Sequence, residues 1–281
     1  ALLAGGRDEP SGEDPAGQGE QPPIIAAGFA PFASTLSGEP QRDRLVVPPA
    51  PAYPGDAALR AAKRFAKSRA GLVSFAVVDS RGREHGWRHN RRYVSASIVK
   101  APLMVAELRR RPEGLDEGTR GLLDAMVTVS DNDSADAIYT RVGDPGLTDV
   151  ARRTGMDRFT VQGHWGNAFV TAADLASFMS AYERVLAKRK QRRLAAELLG
   201  SVVADQRWGI PEVAEPSWDV RLKGGWRSTD YGQLVHQAAR LRRGDTELAL
   251  AVLTDGQPTQ AYGRETVEGI TARLLRETVS R

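Results

Sequence analysis

In the stretch "RRYVSASIVKAPLMVAELRR" (91–110), Ser97 and Lys100 stand three residues apart where a helical periodicity begins. On a helix this spacing sets a hydroxyl and an ammonium on one face, one turn apart. A serine hydroxyl is a weak nucleophile until a neighbour takes its proton, and a lysine does so only where desolvation or another cation lowers its pKa. Taken alone, the pair reads as a helix cap followed by a solvated charge.

Two further segments carry polar groups of the same kind. In "VTVSDNDSADAIY", Ser130, Asp131 and Asn132 sit between two helical stretches. A second hydroxyl there can relay a proton to a leaving group, and an Asn amide can hold a substrate carbonyl or orient a lysine; Ser-Asp-Asn is also ordinary cap chemistry. In "RLKGGW", Lys223 supplies a positive charge and Gly224 and Gly225 let a chain lie close against a strand edge, although Lys-Gly-Gly is commonly a turn.

The elements around these segments alternate in a readable way. "DAALRAAKRFAKSRAG" opens the body as a helix, with Asp56 as N-cap, Leu59, Ala62, Phe65 and Ala66 on one face and Gly71 at the end. "LVSFAVVD" (72–79), the turn "SRGR" and "EHGWRH" read as a hairpin. Short amphipathic segments follow: "IVKAPLMVAELRR", "TRGLLDAMVTV", "DSADAIYTRV" and "LTDVARRTG". "TAADLASFMSAYERVLA" has Thr171 and Asp174 at capping-box spacing, and "RRLAAELLGSVVAD" gives another helix. Strands return at 217–225, 231–243 and 246–255, before a closing helix from about 262 to 280.

This order predicts an α+β fold. An antiparallel sheet of about five strands, made by both chain ends and flanked by helices, holds an inserted all-helical subdomain. The domain is expected over 54–281, with its α/β part at 54–95 and 205–281 and its helical part at 96–204. Residues 1–53 are rich in Gly, Pro, Glu and Ser and read as a tether, with "IIAAGFAPFA" (24–33) able to dock on the body.

S-x-x-K, S-D-N and K-T-G, in that chain order, mark class A β-lactamases and penicillin-binding proteins. With Ser97-Ile98-Val99-Lys100, Ser130-Asp131-Asn132 and Lys223-Gly224-Gly225, the body from about 55 to 281 resembles a penicillin-recognising serine hydrolase. The resemblance implies that Ser97 attacks an amide or β-lactam carbonyl, with Lys100 as base and Ser130 passing the proton to the leaving nitrogen. It implies further that Asn132 holds the substrate side chain and that Lys223 binds a carboxylate beside Gly224 and Gly225. The backbone N–H groups of Ser97 and Arg227 would form the oxyanion hole.

Three departures from that pattern bear on function. Gly224 stands where the family has a hydroxyl residue that helps bind the substrate carboxylate, a part left to Arg227 or Ser228. The short interval from Ser97 to Ser130 predicts a trimmed wall and an open cleft suited to a peptide. The stretch 154–176, where the family carries a glutamate that activates the deacylating water, has no glutamate. His164 in "GHWGN" is the one candidate substitute, though it reads first as a histidine packed beside Trp165. A persistent acyl-enzyme is the expected result.

Composition narrows the remaining classes. The chain has 281 residues, 41% hydrophobic and 26% charged, enough for a full core. With no cysteine and only four histidines, none in a helical metal-binding pair, neither metal nor other cofactor is expected. The formal charge of +4 and the runs at 109–111 and 188–193 lack the interleaved aromatics of a nucleic-acid site. No run of ~20 apolar residues predicts a transmembrane helix. "ALLAGG" resembles the end of a secretory signal or a lipoprotein box with Gly6 in place of the cysteine, so the chain as given carries no lipid there.

The resulting expectation is an extracytoplasmic monomeric serine hydrolase acting on a peptidoglycan peptide, a β-lactam or a related small amide or ester. The alternative is a cell-wall-binding protein of the same fold without turnover.

Overall fold

Seven strands occur among the described residues: β1 (Leu72–Val78), β2 (Glu84–Trp87), β3 (Tyr93–Val94), β4 (Phe169–Val170), β5 (Asp219–Thr229), β6 (Gly232–Arg243) and β7 (Thr246–Gln257). Five of them form one antiparallel sheet in the order β2-β1-β7-β6-β5, so both chain ends build it, as the alternation predicts. The computed structural model describes residues 53–276; all but the last residue of the expected tether, its apolar stretch and the tail of the closing helix lie outside them.

The two faces of the sheet carry different side chains, and this decides what packs where. Val73, Phe75 and Val77 of β1, with Leu250 and Val252 of β7, face helices α1 (Asp56–Ser68) and α8 (Gln260–Leu275) through Ala62, Ala66, Val267 and Ile270. The alternate positions are small: Ala76, Ala238, Ala249 and Ala251 meet the helical block. Short side chains let that block come close to the sheet.

The block contains α2 (Lys100–Arg110), α3 (Glu117–Thr128), α4 (Asn132–Thr154), α5 (Ala172–Ala181) and α6 (Arg189–Gly200), with a short α7 (Ile210–Ala214) beyond it. Its core joins Leu103, Met104 and Leu108 of α2 to Leu123 and Met126 of α3 and Ile138 of α4. The two helical segments expected on either side of Gly143 are both present within α4, which breaks at Gly143, where φ is 61° and ψ 180°, and Pro145 follows. Thr171 and Asp174 make the expected capping box on α5.

Several boundaries differ from the sequence expectation. Gly55 caps α1 in extended backbone, and Asp56 is its first residue, where its charge favours the helix dipole. β5 does not stop at Gly225: eleven paired positions, from Asp219 with Arg242 to Thr229 with Gly232, carry the strand past both glycines. Ser97 lies in a single 3-10 turn, Ala96–Val99, that runs into α2, and no side chain caps that turn.

Candidate active site

Three chain segments meet where β5 passes the turn at Ala96–Val99. A Cβ built on Gly225 would lie 2.7 Å from Ile98 N, 3.1 Å from Ser97 N and 3.2 Å from Ser95 O. All three are backbone atoms, so only a residue without a side chain fits. Gly224 is different: the nearest atom to its Cβ would be Trp208 Cζ2 at 3.4 Å, so the hydroxyl residue of the family is absent here without a steric reason.

The register of β5 on β6 sets Gly225 opposite His236, a fully buried residue that sequence reading did not single out. Thr254 N–H donates to His236 Nδ1 at 3.2 Å, which puts the ring proton on Nε2, within 3.0 Å of Val94 O. His236 therefore ties β6 to β3 just before the Ser97 turn, and Tyr93 packs edge-on against its ring. Burial pushes its pKa down to about 4. Its unfolded value near 6.5 exceeds this, so the unfolded chain binds the extra proton first and stability falls as pH drops from 6.5 towards 4. We expect a loss on the order of 3 kcal/mol across that window, read by chemical denaturation, and a flatter acid limb in His236→Gln.

Lys100 and Lys223 both lie fully buried. Lys100 Nζ donates to Ser130 O at 2.5 Å, to Asn132 Oδ1 at 2.7 Å and to Ser130 Oγ at 3.4 Å. Lys223 Nζ reaches Ser130 Oγ at 3.0 Å and Gly224 O at 3.1 Å. The Ser130 hydroxyl thus stands between two buried amines. Burial pushes the Lys100 pKa down to about 8, against the opposing charges of Asp131 and Asp136. Burial, with Lys100 as a second cation, pushes Lys223 down to about 7. Two such groups around one hydroxyl titrate as a pair, and the pair sheds a proton near neutrality.

Ser130 has a left-handed φ of 61° and Ala96 one of 47°, two of only three such non-glycine residues among those described. Asp131 accepts from Ser134 N–H and caps α4, so the Ser-Asp-Asn segment is at once a helix start and a set of acceptors for Lys100.

Ser97 is partly exposed at the mouth of a cleft of about 310 Å³, shared with Asn132, Asp136, His164, Trp165, Asn167, Trp226 and Arg227. Among the described residues its hydroxyl makes no hydrogen bond. The three Lys100 donors are satisfied by Ser130 and Asn132 instead, and catalytic contacts of this kind often tighten only when substrate is bound. Arg227 reaches Asn167 Oδ1 at 3.4 Å on the cleft rim, whereas the Ser228 hydroxyl is taken by Gln233 at 3.0 Å.

The short loop before β4 supplies the opposite wall. Trp165 is buried, donates from Nε1 to Asp136 Oδ1 at 2.7 Å, and lies with its ring 4.7 Å from Lys100 Nζ. His164 stacks on it at 5.2 Å, the packed arrangement read from the sequence. Gly166 N–H donates to His164 Nδ1 at 3.0 Å, so the single lone pair of the neutral ring is occupied and none is left for water. Asp136 was missed although its spacing from Asn132, one turn along α4, was the available signal. No group of three or more potential metal ligands occurs among the described residues.

The fold matches solved β-lactamases along most of their length. A variant of the last common ancestor of Gram-negative bacteria β-lactamase class A shares 21% identity and a TM-score of 0.66, over 78% of this chain and 97% of that one. The β-lactamase from Sphaerobacter thermophilus shares 20% and 0.66, over 78% and 95%. That from Chitinophaga pinensis shares 14% and 0.67, over 77% and 97%. No curated protein matches the sequence. At such identities the structures speak for the fold alone. Membership rests on the model of the β-lactamase enzyme family, which matches residues 107–278, well over half the chain and inclusive of Ser130 and Lys223: the chain belongs to that family.

Proposed function

We propose that the protein is a serine hydrolase that forms an acyl-enzyme on Ser97 with a peptidoglycan-type amide, a β-lactam or a related small amide or ester. The observation that carries this reading is the Ser130 hydroxyl, held at 3.4 Å from one buried amine and 3.0 Å from another, beside the turn that presents Ser97. Neutral Lys100 takes the Ser97 proton as Oγ adds to the carbonyl carbon. Ser130 passes a proton to the departing nitrogen, and the C–N bond breaks to leave the ester. The Ser97 N–H and an N–H of β5 just after Gly225, at Trp226 or Arg227, face the developing oxyanion, while Asn132, Lys223 and Arg227 hold the substrate.

Supporting slow deacylation, the stretch 154–176 has no glutamate and the His164 lone pair is occupied. The reading carries an extracytoplasmic setting, which a basic pI near 9.5 suited to anionic surroundings supports, and a monomer working on a peptide in an open cleft. Incubation with a fluorescent penicillin or an acyl-phosphonate, followed by intact mass, is expected to show one adduct on Ser97. No adduct would overturn the reading.

The pH profile follows from the amines. Lys100 acts as base only when neutral, so the acylation rate is expected to rise with pH through the range near neutrality in which burial makes the Lys100 and Lys223 pair shed its first proton. Stopped-flow acylation with a chromogenic cephalosporin between about pH 6 and about pH 9 tests this. A flat profile would argue against Lys100.

One observation favours a second reading, a protein that binds cell-wall peptide without cleaving it: the Ser97 hydroxyl is not engaged by Lys100. Peptidoglycan binding that survives Ser97→Ala, with no hydrolysis by the parent, would select it.

A further inference from the structure

The cleft opens on Ser97, Asn132 and Asp136, while Lys100 lies fully buried behind them. Three sides of the Lys100 amine are occupied by Ser130 O, Ser130 Oγ and Asn132 Oδ1. The Trp165 ring covers it from the cleft wall at 4.7 Å. That ring is fixed at several points: Nε1 is tied to Asp136 at 2.7 Å, one face stacks on His164, and the residue's own carbonyl accepts from Ser95 Oγ at 3.2 Å, two residues before the nucleophile. An indole held this way offers no acceptor and no room for a water molecule beside the amine.

We propose that Trp165, locked by Asp136, is a barrier that keeps water from the Lys100 amine and thereby prolongs the acyl-enzyme. This rests on the serine hydrolase reading above. Hydrolysis of the ester requires a water O–H bond to break as its oxygen adds to the acyl carbon, with the proton passing to a base. The C–O bond to Ser97 then breaks, and the proton returns to Oγ. Lys100 is the base of the proposed acylation, it lies outside the cleft lining, and the indole stands between it and the cleft. Trp165 is a positioning residue: it excludes a reactant and does not itself exchange a proton. Asp136 acts through it, which explains a carboxylate on the cleft wall whose nearest fixed partner is an indole N–H.

The test compares the parent with Trp165→Ala, Asp136→Ala and Asp136→Asn. Asp136 is exposed one turn into α4, so its variants are expected to fold even if the loss of the buried indole harms Trp165→Ala. Each protein is acylated with a fluorescent penicillin, freed of excess reagent and followed by intact mass as the adduct decays. In parallel, unacylated protein is treated with formaldehyde and cyanoborohydride, and methylation at Lys100 is read by peptide mass.

Trp165→Ala and Asp136→Ala are expected to shorten the adduct lifetime by on the order of tenfold and to open Lys100 to methylation. Asp136→Asn keeps an acceptor for the indole and is expected to stay closer to the parent than Asp136→Ala does. A merely structural role would slow acylation and lower the melting temperature without accelerating decay. An unchanged or longer lifetime, or a Lys100 that stays as protected as in the parent, overturns the proposal. If the parent forms no adduct, the hydrolase reading falls, and the methylation pattern alone decides whether the barrier exists.

Discussion

Ser97→Ala is expected to abolish the covalent adduct and to lower any turnover by about a thousandfold or more, while the melting temperature hardly moves. The two halves of that expectation come from different features. Activity falls in the proposed reaction because no other hydroxyl on the cleft wall sits on the turn facing Gly225, and Ser130, held between two amines, is the proposed proton relay. Stability stays because the Ser97 hydroxyl is partly exposed and makes no hydrogen bond among the described residues, so its loss strands no buried partner. Intact mass after incubation with a fluorescent penicillin and a thermal melt check both. A residual adduct in Ser97→Ala would place the nucleophile elsewhere.

Gly225→Val is expected to damage both folding and chemistry. Its Cβ would enter within 2.7 Å of Ile98 N and 3.1 Å of Ser97 N. No rotamer change relieves a clash with backbone, so β5 and the Ser97 turn must separate. Overpacking of this kind costs about 1–3 kcal/mol, which for a domain of this size lowers the melting temperature by roughly 2–4 °C per kcal/mol. Acylation should fall further than stability does, because the turn carries the proposed nucleophile. Gly224→Ala, set beside Gly225→Ala, is the control: the nearest neighbour of its Cβ is an aromatic edge at 3.4 Å, and a small effect is expected. Equal melting temperatures and equal acylation in the two variants would refute the account.

Much of this arrangement can be read from short-range patterns. Ser97 and Lys100, and Ser130 and Asn132, are separated by so few residues that type and spacing alone suggest shared chemistry. The sheet is legible because β1 and β7 carry long apolar runs and the helices between them repeat with a different period. The end of β5 was misjudged for an equally physical reason. Gly224 and Gly225 look like punctuation locally, but the ladder to β6 supplies hydrogen bonds that no local preference records.

The features still less visible are those that depend on distant partners. The ring proton of His236 is assigned by Thr254, and its partner Val94 is 142 residues away. The cover over Lys100 comes from Trp165 and is fixed by Asp136, a contact spanning 29 residues. Neither contact is marked locally: the one-turn spacing of Asn132 and Asp136 shows that they share a face of α4, but not that an indole from a short loop meets it.

The left-handed backbone at Ala96 and Ser130 has a bearing on how this protein could be improved or worn down. Each such residue costs of order 1–3 kcal/mol, so glycine at Ala96 would relax the backbone while freeing the segment that aims Ser97. Selection for heat resistance and selection for catalytic rate would therefore pull these two positions in opposite directions. A lineage that lost its substrate would be expected to surrender them early, keeping the scaffold and discarding the tension.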